Sequence, residues 1–362
     1  MDDEYGYANA RLRAMKSRLL TRNDYATLID EPNIEAIVAQ LTHTVYQPAL
    51  EAALMRASGW ECLSQGVRRH LATALARISN FFSGRPQRLW QILIARYRVF
   101  NLKTILRGQA LTIPADEILD TVIPTSDLRE ADWRRLTQQT SVRAIIDVLA
   151  TWHHPYAPPL LQAMPRFAEH RDLAELELAL DRARYALAFA ELDDQGDDNA
   201  DLVRKTLERE IDVANLLTVI RLSEWGSSAA RLAERYGSNT PAVLLLKDGG
   251  LATQKLSALS NIPAIDQLVR EMHDTEFGAA LARAQTRYSE THALVAFEDE
   301  LESYSVQKNL ALFRCDPLTI GIAIAYLTAL TNEIRNLRVI GRGKAVGWSR
   351  DEIQKELRLW QN

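Results

Sequence analysis

Along much of this chain the apolar residues recur every three or four positions, the period of a helix rather than of a strand. ADLVRKTLEREIDVANLLTVIRL puts Leu207, Ile211, Ala214 and Leu217 on one stripe. RDLAELELALDRARYALAFAEL is built from Ala, Leu, Glu and Arg, which favour helix, and the acidic DDQGDDN loop separates the two segments. The most apolar stretch runs from Leu318 to Leu330 and is followed by Asn332, Glu333 and Arg335. A membrane span needs ~18–20 apolar residues, so the pattern predicts a helix buried in protein. Asp316 before Pro317 predicts its start, as N-cap and first helical residue, and Ile340 marks its approximate end. Ser349 with Glu352 predicts a capping box opening a last helix, SRDEIQKELRLW. With 15 Gly and 12 Pro in 362 residues, turn signals are too sparse for many short strands. The fold class is all-α.

The pattern also repeats. NLKTILRGQALTIPADEI, from Asn101, and NLRVIGRGKAVGWSRDEI, from Asn336, align without a gap. They share Asn101/Asn336, Leu102/Leu337, Ile105/Ile340, Arg107/Arg342, Gly108/Gly343, Ala110/Ala345, Asp116/Asp351, Glu117/Glu352 and Ile118/Ile353. NLLTVIR supplies a third copy, with Asn215 and Arg221. Upstream, an aromatic precedes a Leu by one helical turn three times: Tyr46 and Leu50, Tyr156 and Leu160, Phe277 and Leu281. Further upstream, Ala36-Ile37 with Leu41, Ala144-Ile145 with Leu149 and Ala264-Ile265 with Val269 keep one spacing. Three elements in one order, three times, predict three similar helical domains of ~110–120 residues, a usual domain size. Their expected bounds are 1–122, 123–240 and 241–362.

Each residue of a helix turns the chain by about 100°. Relative to Asn101, Leu102 then lies at about 100°, Ile105 at about 40° and Arg107 at about 240°. The Asn therefore sits beside the core-facing stripe and the Arg points away from it. A buried amide tying its helix to a neighbouring carbonyl is the expected role, because buried amides need partners and fix packing. Gly108 and Gly343 are expected to end their helices in the left-handed conformation.

Composition narrows the function. A net charge of −4 gives no basic footprint for nucleic acid. Two cysteines, Cys62 and Cys315, make neither a disulfide framework nor a zinc site, and they suggest reduced thiols in a cytosolic protein. MDDEYGYANARL lacks the apolar core of a signal peptide. His153-His154 has no carboxylate or Cys at ligand spacing. Asp193–Asp201 misses the Gly and Glu of a calcium loop, and Gly341–Gly347 follows a helix and has Ala345 where a phosphate loop needs a hydroxyl. No nucleophile elbow, metalloprotease or kinase signature is present. The residues thus predict no catalytic residue, no cofactor and no metal.

YGYANARLRAMKSRLL, EREIDVANLLTVIR and NEIRNLRVIGRGKAVGWSRDEIQKEL resemble the C subunit of prokaryotic A/V-type ATPases, relative of the d subunit of the eukaryotic V-ATPase. The likeness runs from Tyr5 to Leu357, and Tyr7-Ala8-Asn9-Ala10-Arg11, Asn101-Leu102 and Asn336-Leu337 carry it best. The resemblance implies three helical domains about a pseudo-threefold axis, funnel-shaped, without catalytic residues. It implies a central-stalk rotor part that joins the shaft subunits to the membrane proteolipid ring, for ATP-driven transport of protons or sodium, or for ATP synthesis. It also implies a cytoplasmic place, peripheral on the membrane's inner face, with no transmembrane insertion. Arg11, Arg13, Lys16 and Arg18 of the first helix are candidate partner contacts. The alternative is a cytosolic all-helical scaffold unrelated to ATPases, although solenoid units are shorter, ~20–50 residues.

Overall fold

The computed structural model describes residues 4–125, 128–194, 196–224, 238, 241–260, 262 and 264–359. The expected boundary at 240 lies outside these residues, and so does Trp360 of the expected last helix. Among the described residues the regular structure is helical, without strands. In chain order the α-helices are α1 (Gly6–Lys16), α2 (Arg22–Asp30), α3 (Ile34–Leu41), α4 (Gln47–Leu54), α5 (Gly59–Ser79), α6 (Gly84–Ala110), α7 (Ala115–Thr121), α8 (Glu130–Thr137) and α9 (Val142–Thr151). They continue with α10 (Ala157–His170), α11 (Ala174–Asp193), α12 (Asp198–Glu224), α13 (Thr253–Leu259), α14 (Ile265–Glu271), α15 (Gly278–Thr291), α16 (Val295–Ala311), α17 (Gly321–Ala345) and α18 (Arg350–Glu356).

Side-chain caps start several of these helices. Asn33 Oδ1 accepts the Ala36 N–H at 2.9 Å, and Ser141 Oγ accepts the Ala144 N–H at 3.1 Å. Thr21 with Asp24 forms a full capping box. The predicted box of Ser349 and Glu352 is present and opens α18.

Two compact units result: residues 1–184 with 310–362, and residues 185–309. In the first, Leu102, Ile105 and Leu106 of α6 pack with Ile118 of α7, Trp133 of α8, Ile145 of α9, Leu160 of α10 and Leu176 of α11. The same unit holds α17, whose apolar residues pack against α5, α1 and α3 from the other end of the chain. In the second unit Leu216, Val219 and Ile220 of α12 pack with Leu256, Leu268, Phe277 and Phe297. The three long helices α6, α12 and α17 thus have one role. Each is the apolar axis on which shorter helices close.

The repeated aromatics sit at the centre of this packing. Tyr46, Tyr156 and Phe277 are fully buried, as are Leu50, Leu160 and Leu281. Burying a side chain of that size contributes ~1.5–3 kcal/mol, so each pair helps anchor its bundle.

Two expectations about α17 and α6 need correction. The long C-terminal helix opens at Gly321 rather than Pro317, and it runs to Ala345. Asp316 Oδ1 instead accepts the Leu318 N–H at 2.8 Å, closing a turn before the helix. That turn frees the carbonyls of Pro317 and Thr319, which accept Asn9 Nδ2 at 2.7 and 2.9 Å. Gly108 and Gly343 do not end their helices in a left-handed conformation. They lie inside α6 and α17, and their carbonyls accept the N–H groups of Ile113 at 2.9 Å and Trp348 at 2.8 Å. The left-handed residues come four positions later, at Thr112 and Gly347.

Glycine is needed at 108 and 343 for contact. A Cβ on Gly108 would fall 2.5 Å from Ile118, and one on Gly343 would fall 2.7 Å from Ile353. These isoleucines are themselves repeat partners, so helix and covering isoleucine recur together. Gly108→Ala is expected to lower stability by ~1–3 kcal/mol through overpacking, measurable as a lower urea midpoint. An unchanged midpoint would count against the close approach.

Candidate interaction site

The three repeated asparagines perform one task. Asn101 Nδ2 donates to the Ile123 carbonyl at 2.6 Å, and its Oδ1 accepts the Ile123 N–H at 2.9 Å. Asn215 does the same to Leu246, at 2.9 and 2.8 Å. Asn336 does the same to Arg358, at 3.1 and 3.0 Å. An amide carries one donor face and one acceptor face side by side, which suits one residue's backbone N–H and C=O. Each long helix therefore clamps a non-helical segment that crosses it. All three asparagines are buried.

One turn before two of the clamps stands a buried carboxyl that the sequence motifs do not flag. Glu333 on α17 accepts the Leu20 N–H at 2.5 Å and the Tyr46 hydroxyl at 2.7 Å. Burial raises its pKa to about 7. Tyr25 and Tyr326 lie in the same cluster, and burial followed by the Glu333 charge raises both phenols. Asp212 stands in the equivalent place on α12 and accepts the Leu251 N–H at 3.0 Å. Burial raises its pKa to about 6. Both carboxyls lie three residues before a repeated Asn, on its face of the helix, and that spacing is the one available signal.

The repeated arginines differ in their surroundings. Arg107 on α6 donates from Nε and Nη2 to both oxygens of Glu177 on α11, at 2.6 and 2.5 Å. One turn earlier on α6, Lys103 meets Asp181 of α11 at 2.7 Å. Arg221 on α12 meets Glu298 on α16. Arg342 on α17 has no ion pair among the described residues and is exposed. It lines a groove of about 750 Å³ with Arg338, Arg335, Arg96, Trp60, Phe100 and Trp348.

The basic residues of α1 are partly engaged within the chain, and Arg18, expected on the same helix, lies in the turn after its end at Lys16. Arg11 lies over the Tyr7 ring at 4.9 Å and the Phe81 ring at 5.4 Å. Arg13 Nη2 reaches the Phe313 carbonyl at 3.5 Å, and Lys16 Nζ stands 4.4 Å over the Phe313 ring. Arg18 lines a second cavity of about 490 Å³, with Arg69, His70, Arg77 and Tyr326. Burial lowers the His70 pKa to about 4, so this ring is neutral near pH 7.

Of the motifs weighed for other chemistry, His154 is buried and stacks on Tyr156 at 5.6 Å, while His153 is exposed. No group of three or more His, Cys, Asp or Glu among the described residues could hold a metal ion. Cys62 is buried, Cys315 is exposed, and both are free thiols. No described helix is long and apolar enough to cross a membrane.

Known proteins share this sequence over nearly its full length. The chain is 27% identical over 353 residues to the C subunit of the A-type ATP synthase of Methanosarcina mazei, covering 98% of this chain and 92% of that protein. It is 28% identical to the protein of the same name from Methanosarcina acetivorans, with the same coverage. It is 25% identical over 351 residues to that of Haloferax volcanii, covering 97% of this chain and 96% of the relative. The pattern of one protein family spans residues 8–356, which includes all three repeated asparagines and the Asn9 contact of α1. The chain belongs to the ATP synthase (C/AC39) subunit family.

Proposed function

We propose that this chain is the non-catalytic central-stalk subunit of a rotary A/V-type ATPase, coupling the shaft to the membrane proteolipid ring. The supporting observation is the family match over nearly the whole chain, residues 8–356. Its relatives are named as a subunit of the ATP synthase. In this reading the body comprises three repeats, 1–122, 123–240 and 241–362, arranged as a funnel. The subunit sits on the cytoplasmic face of the membrane, held there by its complex, and the tip of the shaft enters its cavity.

A part that transmits torque must resist shear, and close packing, with the three repeated amides paired on both faces, supplies that stiffness. Two-sided asparagine clamps on all three long helices fit the task. So do Gly108 and Gly343, which draw α7 and α18 hard against their axes. The exposed guanidiniums of Arg11 and Arg13 on the first helix, and of Arg18 in the turn after it, are what a partner meets, with Lys16 turned over Phe313. The lining toward the shaft is polar, and the rim toward the ring is more apolar.

The test is purification of the tagged chain from its own membranes in mild detergent, followed by mass spectrometry. Recovery of the ring, the shaft subunits and the catalytic head is expected. A monomer that stays free beside intact rings would overturn the proposal. Charge reversal of the lining should abolish ion pumping while ATP hydrolysis survives, and retained pumping would count against a shaft contact there.

A further inference from the structure

The repeat provides an internal control for the groove beside Arg342. On the helix facing each long axis, apolar residues recur in register: Leu173, Leu176 and Leu180 on or just before α11, Leu294, Phe297 and Leu301 on or just before α16, and Trp60, Leu63 and Val67 on α5. The residue after the middle one is the partner of the repeated Arg. It is Glu177 in one copy and Glu298 in another. On α5 the same place holds Ser64.

The change extends one turn further. Lys103 meets Asp181 in the α6–α11 copy. The corresponding positions on α17 and α5 are Arg338 and Arg68, two residues along from Asn336 and four along from Ser64. Two oppositely charged pairs have thus become a like-charged pair and an unanswered arginine. Burial and then the nearby Arg338 charge lower the Arg68 pKa, while the Asp120 carboxylate partly offsets them. Arg68 Nη1 is held by the Asp120 carbonyl at 2.5 Å, while Arg338 and Arg342 have no carboxylate partner among the described residues.

Arg338 and Arg342 are exposed, and the groove they line is largely apolar, with Glu356 as its one carboxylate among the described residues. Phe100 and Trp348, which line the groove, keep 45% and 40% of their surface exposed and so offer an apolar face beside the arginines. Arg and Trp are also the residues in which interface energy concentrates. The groove volume of about 750 Å³ accommodates the side chains of one face of a helix, not a whole domain.

We propose that the α5–α17 groove is the docking site for an acidic amphipathic helix of a partner protein. Its carboxylates, one turn apart, take the places that Glu177 and Asp181 fill within this chain, and an apolar side chain beside them packs on Phe100 and Trp348. Bidentate pairing of guanidinium with carboxylate fixes the partner's angle as well as its affinity. A membrane surface would meet a charged convex patch rather than a recess, and nucleic acid finds no basic footprint on a chain of net charge −4. The inference rests on the coupling role only in assigning the partner to the rotary complex.

The experiment places a photoreactive benzophenone side chain at position 348 of the full chain, within the native complex. Irradiation is followed by mass spectrometry of the crosslinked peptide. Arg338→Glu with Arg342→Glu is examined beside it, and Lys247→Glu with Lys255→Glu provides the same charge change at exposed positions elsewhere. The expected crosslink is to a protein segment with carboxylates at i and i+4. The groove variant should release this chain from that partner about 100-fold more readily, while the control variant behaves as wild type. Replacing the two carboxylates of the crosslinked segment by lysines should restore binding to the groove variant. That rescue separates lost contact from lost folding.

A crosslink to lipid alone, to a non-acidic segment or to nothing overturns the proposal, as does unchanged binding of the groove variant. An acidic helix from a protein outside the rotary complex would sustain the groove and overturn the assignment of its partner to that complex. Co-purification of the complex with an unoccupied groove would overturn the docking site and leave the coupling role standing.

Discussion

Asn101→Asp is expected to destabilise the first unit by about 4 kcal/mol, the largest loss expected from a single substitution in this chain's repeat. The aspartate has nearly the volume of the amide, so packing is kept. Its oxygen can still accept the Ile123 N–H, now at 2.9 Å from Oδ1. What is lost is the donor to the Ile123 carbonyl, now at 2.6 Å from Nδ2. A carboxylate oxygen in that place faces the Ile123 carbonyl oxygen inside a buried site. Asn101→Leu removes both bonds without adding charge, and should cost less, about 2–3 kcal/mol. Urea unfolding of the three proteins gives the ranking. If aspartate were no worse than leucine, the two-sided clamp would not be the basis of the repeat.

The second large effect is a pH dependence centred on Glu333. Its carboxyl has a folded pKa of about 7, above the ordinary 4.5. Below pH 4.5 it is protonated in both folded and unfolded chains and adds no pH dependence. Between 4.5 and 7 the unfolded chain releases the proton while the folded chain keeps it, so stability falls as pH rises. Above 7 the loss is complete, at about 3 kcal/mol. Glu333→Gln mimics the protonated form: its oxygen accepts the Leu20 N–H and its NH2 faces the Tyr46 oxygen. The variant should therefore flatten the fall over that window and exceed wild type at pH 8 by about 2–3 kcal/mol. Urea midpoints at several pH values decide this, and parallel curves for the two proteins would refute it. Asp212 contributes in the same direction over a lower range, from 3.8 to about 6, in the second unit.

The helices are legible in the sequence because apolar periodicity and capping residues are local. The repeated Asn, Arg and aromatic positions are visible for the same reason, and so is the burial of Asn101, from its angle to Leu102 and Ile105. The clamped residues are not. Ile123, Leu246 and Arg358 offer backbone groups, which leave no side-chain signature, and Leu246 lies farther along the chain from its Asn than the other two. Gly108 misleads because close approach to Ile118 and a helix end both call for glycine. Glu333 hides because a carboxylate on a helix is usually solvated, and only its spacing from Asn336 distinguishes it. The charge reversal at Ser64 and Arg68 needs two distant helices laid in register, which local reading does not supply.

The packing of α17 against α5 and α1 has a consequence for how the protein is made. Ribosomal synthesis completes α5 at Ser79, but its covering helix ends only at Ala345. At ~5–20 residues per second, the nascent first bundle waits roughly 15–50 s with its apolar face uncovered. During that time the bundles behind it, each closed on a helix already synthesised, can fold. The first bundle is thus the last of the three to have its apolar face covered. The same delay acts as a check on completeness. A chain cut short before Gly321 leaves Leu63 and Trp60 without Gly341 against them, and the first bundle keeps an apolar face open.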